Sequence, residues 1–216
     1  MTTTPPARVD YMQRKTVCNH PLILKFLQLS MLGVFRLRGW RFDTELPEQR
    51  KYVMIVAPHT SNWDFFLLVG FGASLKRQVR FMIKHTFFWG PVGVLFRWLG
   101  GIAVERSSSH NFVDHMAEQF KKTDDMVLII TPEGTRRKVD SWKGGFYHIA
   151  NGAGVPIMPV YLDYGRKTVG FGEAFIPSGN FEQDLPKILE TYSTVRACHP
   201  EMDGSKFLLD QAKVAV

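Results

Sequence analysis

Between Tyr52 and Phe175 the chain switches repeatedly between two hydrophobic periods, and few architectures accept that pattern. Six apolar runs have strand length and several are rich in β-branched residues: Val53 to Ala57, Arg80 to Lys84, Ile102 to Glu105, Met126 to Thr131, Ile157 to Leu162 and Thr168 to Phe175. Helical patterns separate them. One is expected from about Asp64 to Leu75. A second opens at the N-capping run Ser107-Ser108-Ser109 and carries Phe112, Met116 and Phe120 at every fourth position. A third runs from Gly145 to Asn151 and stops at the glycines of Asn151-Gly152-Ala153-Gly154, and a fourth covers Asp184 to Val195. The alternation predicts an α/β fold, with a mixed, largely parallel sheet covered by helices. The 216 residues supply one sizeable core and give no reason for two.

Two apolar segments stand outside this alternation. Pro21 to Gly39 places Leu24, Leu27, Met31, Val34 and Phe35 at helical spacing, flanked by Arg14, Lys15, Arg36, Arg38 and Arg41. Such a helix either lies in a lipid interface with its cations on anionic headgroups, or packs on the core. It is too interrupted for a span of about 20 apolar residues. The expected division is therefore a basic, apolar membrane-associating segment at 1–39 and a single catalytic domain at 40–216. Phe87 to Gly101 is almost wholly apolar and aromatic, and suits core, an acyl-chain channel or a membrane-dipping surface; Gly90-Pro91 and Gly100-Gly101 argue against one long helix there.

Lys and Arg number 27 against 20 acidic residues, a net charge of +7 that calls for an anionic partner. Neither zinc-finger spacing, an RNP-like aromatic motif nor a basic recognition helix is present, so nucleic acid is not the expected one. Cys18 and Cys198 form no CxxC motif and are expected to be buried thiols in a reducing compartment. The opening residues lack an apolar core followed by a small-residue cleavage site, so no secretory signal is expected.

The first strand runs into Ala57-Pro58-His59-Thr60-Ser61-Asn62-Trp63-Asp64. A strand ending in Pro-His sets an imidazole at a sheet edge, where α/β folds hold ligands. On a straight helix Asp64 would lie about 140° away from His59. The two meet only if Thr60-Ser61-Asn62 forms a turn or cap, as those residue types favour. A carboxylate on Nδ1–H would leave Nε2 to act as general base. With 7 His and 11 Asp, about 0.4 chance occurrences of His-x4-Asp are expected, so context must carry the assignment. Another strand leads into Thr131-Pro132-Glu133-Gly134-Thr135-Arg136, where Gly134 permits a left-handed turn and Arg136 can grip phosphate bidentately. Arg106 and the pair Lys84-His85 close two further strands, so one crevice could gather several cations. His110 and His115, beside Asp114, read as a solvated helix face rather than a metal site.

In order, His59-x4-Asp64, Gly101 through Arg106, Glu133-Gly134-Thr135-Arg136 and Val155 through Val160 make the chain resemble the glycerophospholipid acyltransferases, the group of lysophosphatidic acid and glycerol-3-phosphate acyltransferases. The blocks span about half the chain, and their order is far more specific than any one of them. One departure is Thr131, where many members carry Phe. The resemblance implies His59 as base, Asp64 as its orienter, and Arg106, Glu133, Gly134, Thr135 and Arg136 around the acceptor's phosphate and glycerol. Lys84 and His85 match a basic pair tied to phosphate in plant relatives. It further implies an acyl-CoA or acyl carrier protein donor, a lysophospholipid acceptor, most readily 1-acylglycerol-3-phosphate, no cofactor or metal, and work at an anionic membrane surface on the cytoplasmic face, as a peripheral or monotopic protein. Rival readings are a transacylase or hydrolase of the same fold and a non-catalytic lipid-binding protein. The last has no use for a base.

Overall fold

The computed structural model describes residues 10–42, 47–104 and 109–214. One seven-stranded sheet contains β1 (Arg41–Phe42), β2 (Lys51–Ala57), β3 (Val79–Lys84), β4 (Gly101–Val104), β5 (Met126–Ile130), β6 (Ile157–Asp163) and β7 (Thr168–Phe171), in the order β1-β7-β6-β2-β5-β3-β4. Among the described residues only the β6–β7 strand pair is antiparallel. The helices are α1 (Pro21–Leu37), α2 (Trp63–Ser74), α3 (Gly90–Leu99), α4 (Ser109–Lys121), α5 (Gly145–Ala153), α6 (Phe181–Glu190) and α7 (Ser205–Val214). The mixed, largely parallel α/β sheet expected from the alternation is the sheet observed.

β2 is the centre because both its faces are apolar, as a parallel strand covered on two sides requires. Its odd residues, Val53, Ile55 and Ala57, pack with Met116 and Phe120 of α4 and with Phe146 and Ile149 of α5. Its even residues, Tyr52, Met54 and Val56, pack on the opposite face with Phe35 of α1 and with Leu67 and Phe71 of α2. At about 1.5–3 kcal/mol for each large side chain fully buried, this two-sided burial outweighs any edge placement.

The differences from expectation each have a physical cause. β1 is two residues long and carries no period to read; its pairing with β7, Arg41 to Thr168, creates it. The Thr168 to Phe175 run breaks after Phe171 and returns only as a bridge from Phe175 to Ile157. α6 starts three residues earlier than expected because the Asn180 side chain caps it, accepting the Gln183 N–H at 3.2 Å. Cys18 and Cys198 are free thiols but only half-buried. Of the solvated face expected at His110, Asp114 and His115, Asp114 is exposed, whereas His115 is buried with the Tyr11 ring against it, centroids 5.6 Å apart; the side chain of His110 lies outside the described residues.

α1 packs on α2, where Gly70 admits it: a Cβ there would come within 2.9 Å of Met31. Phe35 is buried in this contact, while Leu22, Phe26 and Leu37 on other sides of α1 are 83, 73 and 90% exposed. The segment before α1 is tied down by the buried Arg80, which donates to the carbonyls of Tyr11 and Arg14 and to the Thr16 hydroxyl. Phe87 to Gly101 begins at the last residue of a 3-10 turn (His85–Phe87), continues through α3 and ends at the first residue of β4; Phe96 of α3 meets Phe65 edge-on at 5.6 Å, while Trp89, Val92 and Leu95 are exposed. Among the described residues no helix is long and apolar enough to cross a membrane.

Candidate active site

Parallel pairing brings the carboxyl ends of β2, β3, β5 and β6 to one edge of the sheet, with Ile55 beside Ile130 and Ala57 beside Tyr161. The chain leaves β2 through a cis Ala57–Pro58 peptide and turns at Thr60-Ser61-Asn62 into α2. That turn closes the angular gap between the two motif residues: Nδ1 of His59 lies 3.0 Å from Oδ2 of Asp64. The same oxygen accepts the backbone N–H groups of Thr60 at 3.0 Å and Ser61 at 2.9 Å. Oδ1 accepts the phenol O–H of Tyr164 at 2.6 Å. Asp64 is wholly buried, so these four donors replace the water it would otherwise bind. The imidazole keeps slight exposure, 13% of its side chain, and Nε2 is the nitrogen left for chemistry.

Glu133 stands behind this turn. Its Oε2 accepts the backbone N–H of His59 at 2.8 Å, and the residue is 4% exposed. Burial pushes its carboxyl up to about 8; the His59 N–H offsets this only in part, and the charges of Asp203 and Asp64 add to it. Glu133 lines neither of the cavities beside the site, whereas Gly134, Thr135 and Arg136 do. Gly134 adopts φ +63°, the left-handed conformation that glycine holds without strain, and the Lys143 side chain lies over it.

Two cavities meet at His59. One is walled chiefly by apolar side chains, among them Leu24 and Leu27 of α1, Phe65 and Leu68 of α2, Phe81 of β3 and Leu99 of α3. The other is lined by the cations Lys84, Arg136 and Lys143 together with apolar side chains that include Phe87 and Phe146. His59 and Arg136 line both. His85 follows Lys84 in the exposed 3-10 turn and lines neither, and Arg106 lies outside the described residues. Sequence reasoning missed Lys143 and Tyr164. Lys143 sits beyond the Glu-Gly-Thr-Arg block in a loop without a pattern, and Tyr164 is 100 positions from the carboxylate it touches.

Residues 41–163, more than half of the chain, match the family model described as Acyltransferase. The chain belongs to the Acyltransferase family. The family segment runs from β1 through β6, so it holds His59, Asp64, Lys84, the Glu133 turn and Lys143, and ends one residue short of Tyr164. Human 1-acyl-sn-glycerol-3-phosphate acyltransferase alpha is 30% identical over 149 residues, covering 64% of this chain and 51% of the relative. The 1-acyl-sn-glycerol-3-phosphate acyltransferase of Haemophilus influenzae is 27% identical over 137 residues, covering 59% and 55%. The chain thus spans about half the length of these relatives. In fold it is similar to the crystal structure of the 1-acyl-sn-glycerophosphate (LPA) acyltransferase PlsC from Thermotoga maritima, with a TM-score of 0.57 at 19% identity, covering 95% of this acyltransferase-family chain and 85% of that one.

Proposed function

We propose that this protein moves a fatty acyl chain from a thioester donor, acyl-CoA or acyl carrier protein, to the free hydroxyl of a 1-acylglycerol-3-phosphate-class acceptor. The observation that carries this reading is the place of His59, at the junction of an apolar cleft and a cationic cavity, with Nδ1 held by a buried carboxylate. The cleft suits an acyl chain. Lys84, Arg136 and Lys143 suit a phosphate, Arg136 through its paired N–H groups.

In the reaction, Nε2 of His59 takes the proton of the acceptor hydroxyl as its oxygen attacks the thioester carbonyl. Asp64 stabilises the imidazolium that forms. The tetrahedral adduct collapses by breaking the carbon–sulfur bond, and the departing thiolate leaves as thiol with the proton from Nε2. Both proton transfers run through one residue, and no acyl-enzyme or cofactor is required. Family membership and the names of the relatives support acyl transfer; the dyad and the two cavities support this route.

The exposed Leu22, Phe26 and Leu37 of α1, with the exposed cations Lys25, Arg36 and Arg38 beside them and Trp89 ahead of α3, support docking on an anionic membrane surface at the cytoplasmic face. Incubation with labelled acyl-CoA and 1-acylglycerol-3-phosphate tests the assignment. Labelled diacylglycerol-3-phosphate is the expected product. Consumption of acyl-CoA without a diacyl product would make the protein a hydrolase, and acyl exchange between phospholipids without acyl-CoA would make it a transacylase.

A further inference from the structure

We infer that Tyr164 is a positioning residue of the acyl-transfer site, holding Asp64 so that its other oxygen stays in line with Nδ1 of His59. The inference rests on the general-base reading of His59 above. Its ground is the unequal loading of the buried carboxylate: three N–H donors, from His59, Thr60 and Ser61, all reach Oδ2, and the Tyr164 phenol is the donor to Oδ1. At 2.6 Å that contact has the length of a charge-assisted O–H···O⁻ bond. A carboxylate turns about its Cβ–Cγ bond. With both oxygens engaged from different directions it cannot turn, and Oδ2 remains where the imidazole needs it.

The phenol is itself fixed by parts of the fold far from the motif. Tyr164 follows directly on β6, whose register sets Tyr161 beside Ala57, two residues before His59. Its backbone N–H donates to the Arg196 carbonyl at 2.8 Å. Its ring meets the buried Trp40 edge-on, centroids 4.9 Å apart. Burial first, and then the hydrogen bond to Asp64 and that residue's charge, raise the phenol above the usual tyrosine range, so it stays protonated and remains a donor wherever the enzyme works. Tyr164 lies one residue beyond the segment that matches the family, so membership alone does not assign it.

Tyr164→Phe removes the donor and leaves the ring on Trp40. In the full-length protein the expected result is a kcat lower by about 10- to 100-fold, the range for losing one hydrogen bond to a charged group, with both KM values within about twofold of wild type. In an Asp64→Asn background the same substitution should lower kcat less than about twofold, since the negative charge that Tyr164 holds against His59 is already gone there. A purely packing role would instead lower the thermal midpoint and reduce activity equally in both backgrounds. Full kcat in Tyr164→Phe, or additive losses, would overturn the inference. A second readout stands apart from turnover. The low-field proton resonance of the His59 Nδ1–H, identified by its absence in His59→Ala, should broaden or move upfield in Tyr164→Phe. If wild type transfers no acyl group at all, the catalytic reading fails while this resonance still judges the geometry. An unshifted, equally sharp signal would refute the positioning role by itself.

Discussion

Replacing Asp64 by Asn separates the charge of this carboxylate from its shape. An asparagine can present its carbonyl oxygen where Oδ2 now accepts His59, Thr60 and Ser61, and turn its amide toward the Tyr164 oxygen, which has lone pairs to accept it. The turn should therefore persist while the negative charge goes. In the transition state the imidazolium and carboxylate, with Nδ1 and Oδ2 3.0 Å apart and their charge centres about 4 Å apart, attract by about 4 kcal/mol at an effective dielectric of about 20. That loss corresponds to a rate lower by about 10³-fold, within the span usual for general-base catalysis. Since Asp64 lines neither cavity, both KM values should hold. The assay is the initial rate of diacyl product formation at saturating donor and acceptor, beside a thermal melt and beside His59→Ala as the floor. A rate within tenfold of wild type would refute the general-base argument. A fall of more than about 10 °C in the melting midpoint would refute the premise that the charge serves chemistry and the shape serves the fold.

Arg136→Ala and Arg106→Ala should each raise the acceptor KM more than the donor KM, and Arg136→Lys should restore only part of the loss because lysine lacks the paired donors; unchanged acceptor KM with lower kcat in steady-state kinetics would remove the phosphate assignment. Glu133 contributes a stability change of defined sign. Its folded-state pKa of about 8 lies above the ordinary 4.5, so the unfolded chain ionises first and stability falls as pH rises through that window, on the order of 3 kcal/mol by pH 7. Glu133→Gln keeps an acceptor for the His59 N–H and should flatten the denaturation midpoint between pH 5 and 8; an unaltered pH slope would contradict the buried-acid account. Leu22→Glu with Phe26→Glu should weaken cosedimentation with anionic vesicles without moving the thermal midpoint, since both side chains are exposed. Binding indifferent to these changes, to salt and to lipid charge would rule out docking through α1. Point substitutions are the better probe because deleting residues 1–39 would strip the buried Arg80 of Tyr11, Arg14 and Thr16.

The sequence by itself determined the layered α/β plan and the ordered motif blocks, because both are local. β2, β3 and β5 announce themselves as apolar runs, and α2, α4 and α5 as periods bounded by caps and glycines, within windows of about a dozen residues. The His59–Asp64 contact was legible for the same reason: five positions joined by turn-forming residues leave few ways to meet. Tertiary structure decided what depends on packing across the sheet. It turned Glu133 inward to hold the His59 backbone, with no side chain on either cavity, because the register of β2 against β5 places one turn behind the other. It buried His115 against Tyr11 and paired β1 with β7, contacts to which no local period points. It also brought Tyr164 to Asp64 and Lys143 over Gly134. An amphipathic pattern records which side of an element is buried, but not the partner that buries it; the partner is set by which distant strand is the neighbour, and only the folded sheet fixes that.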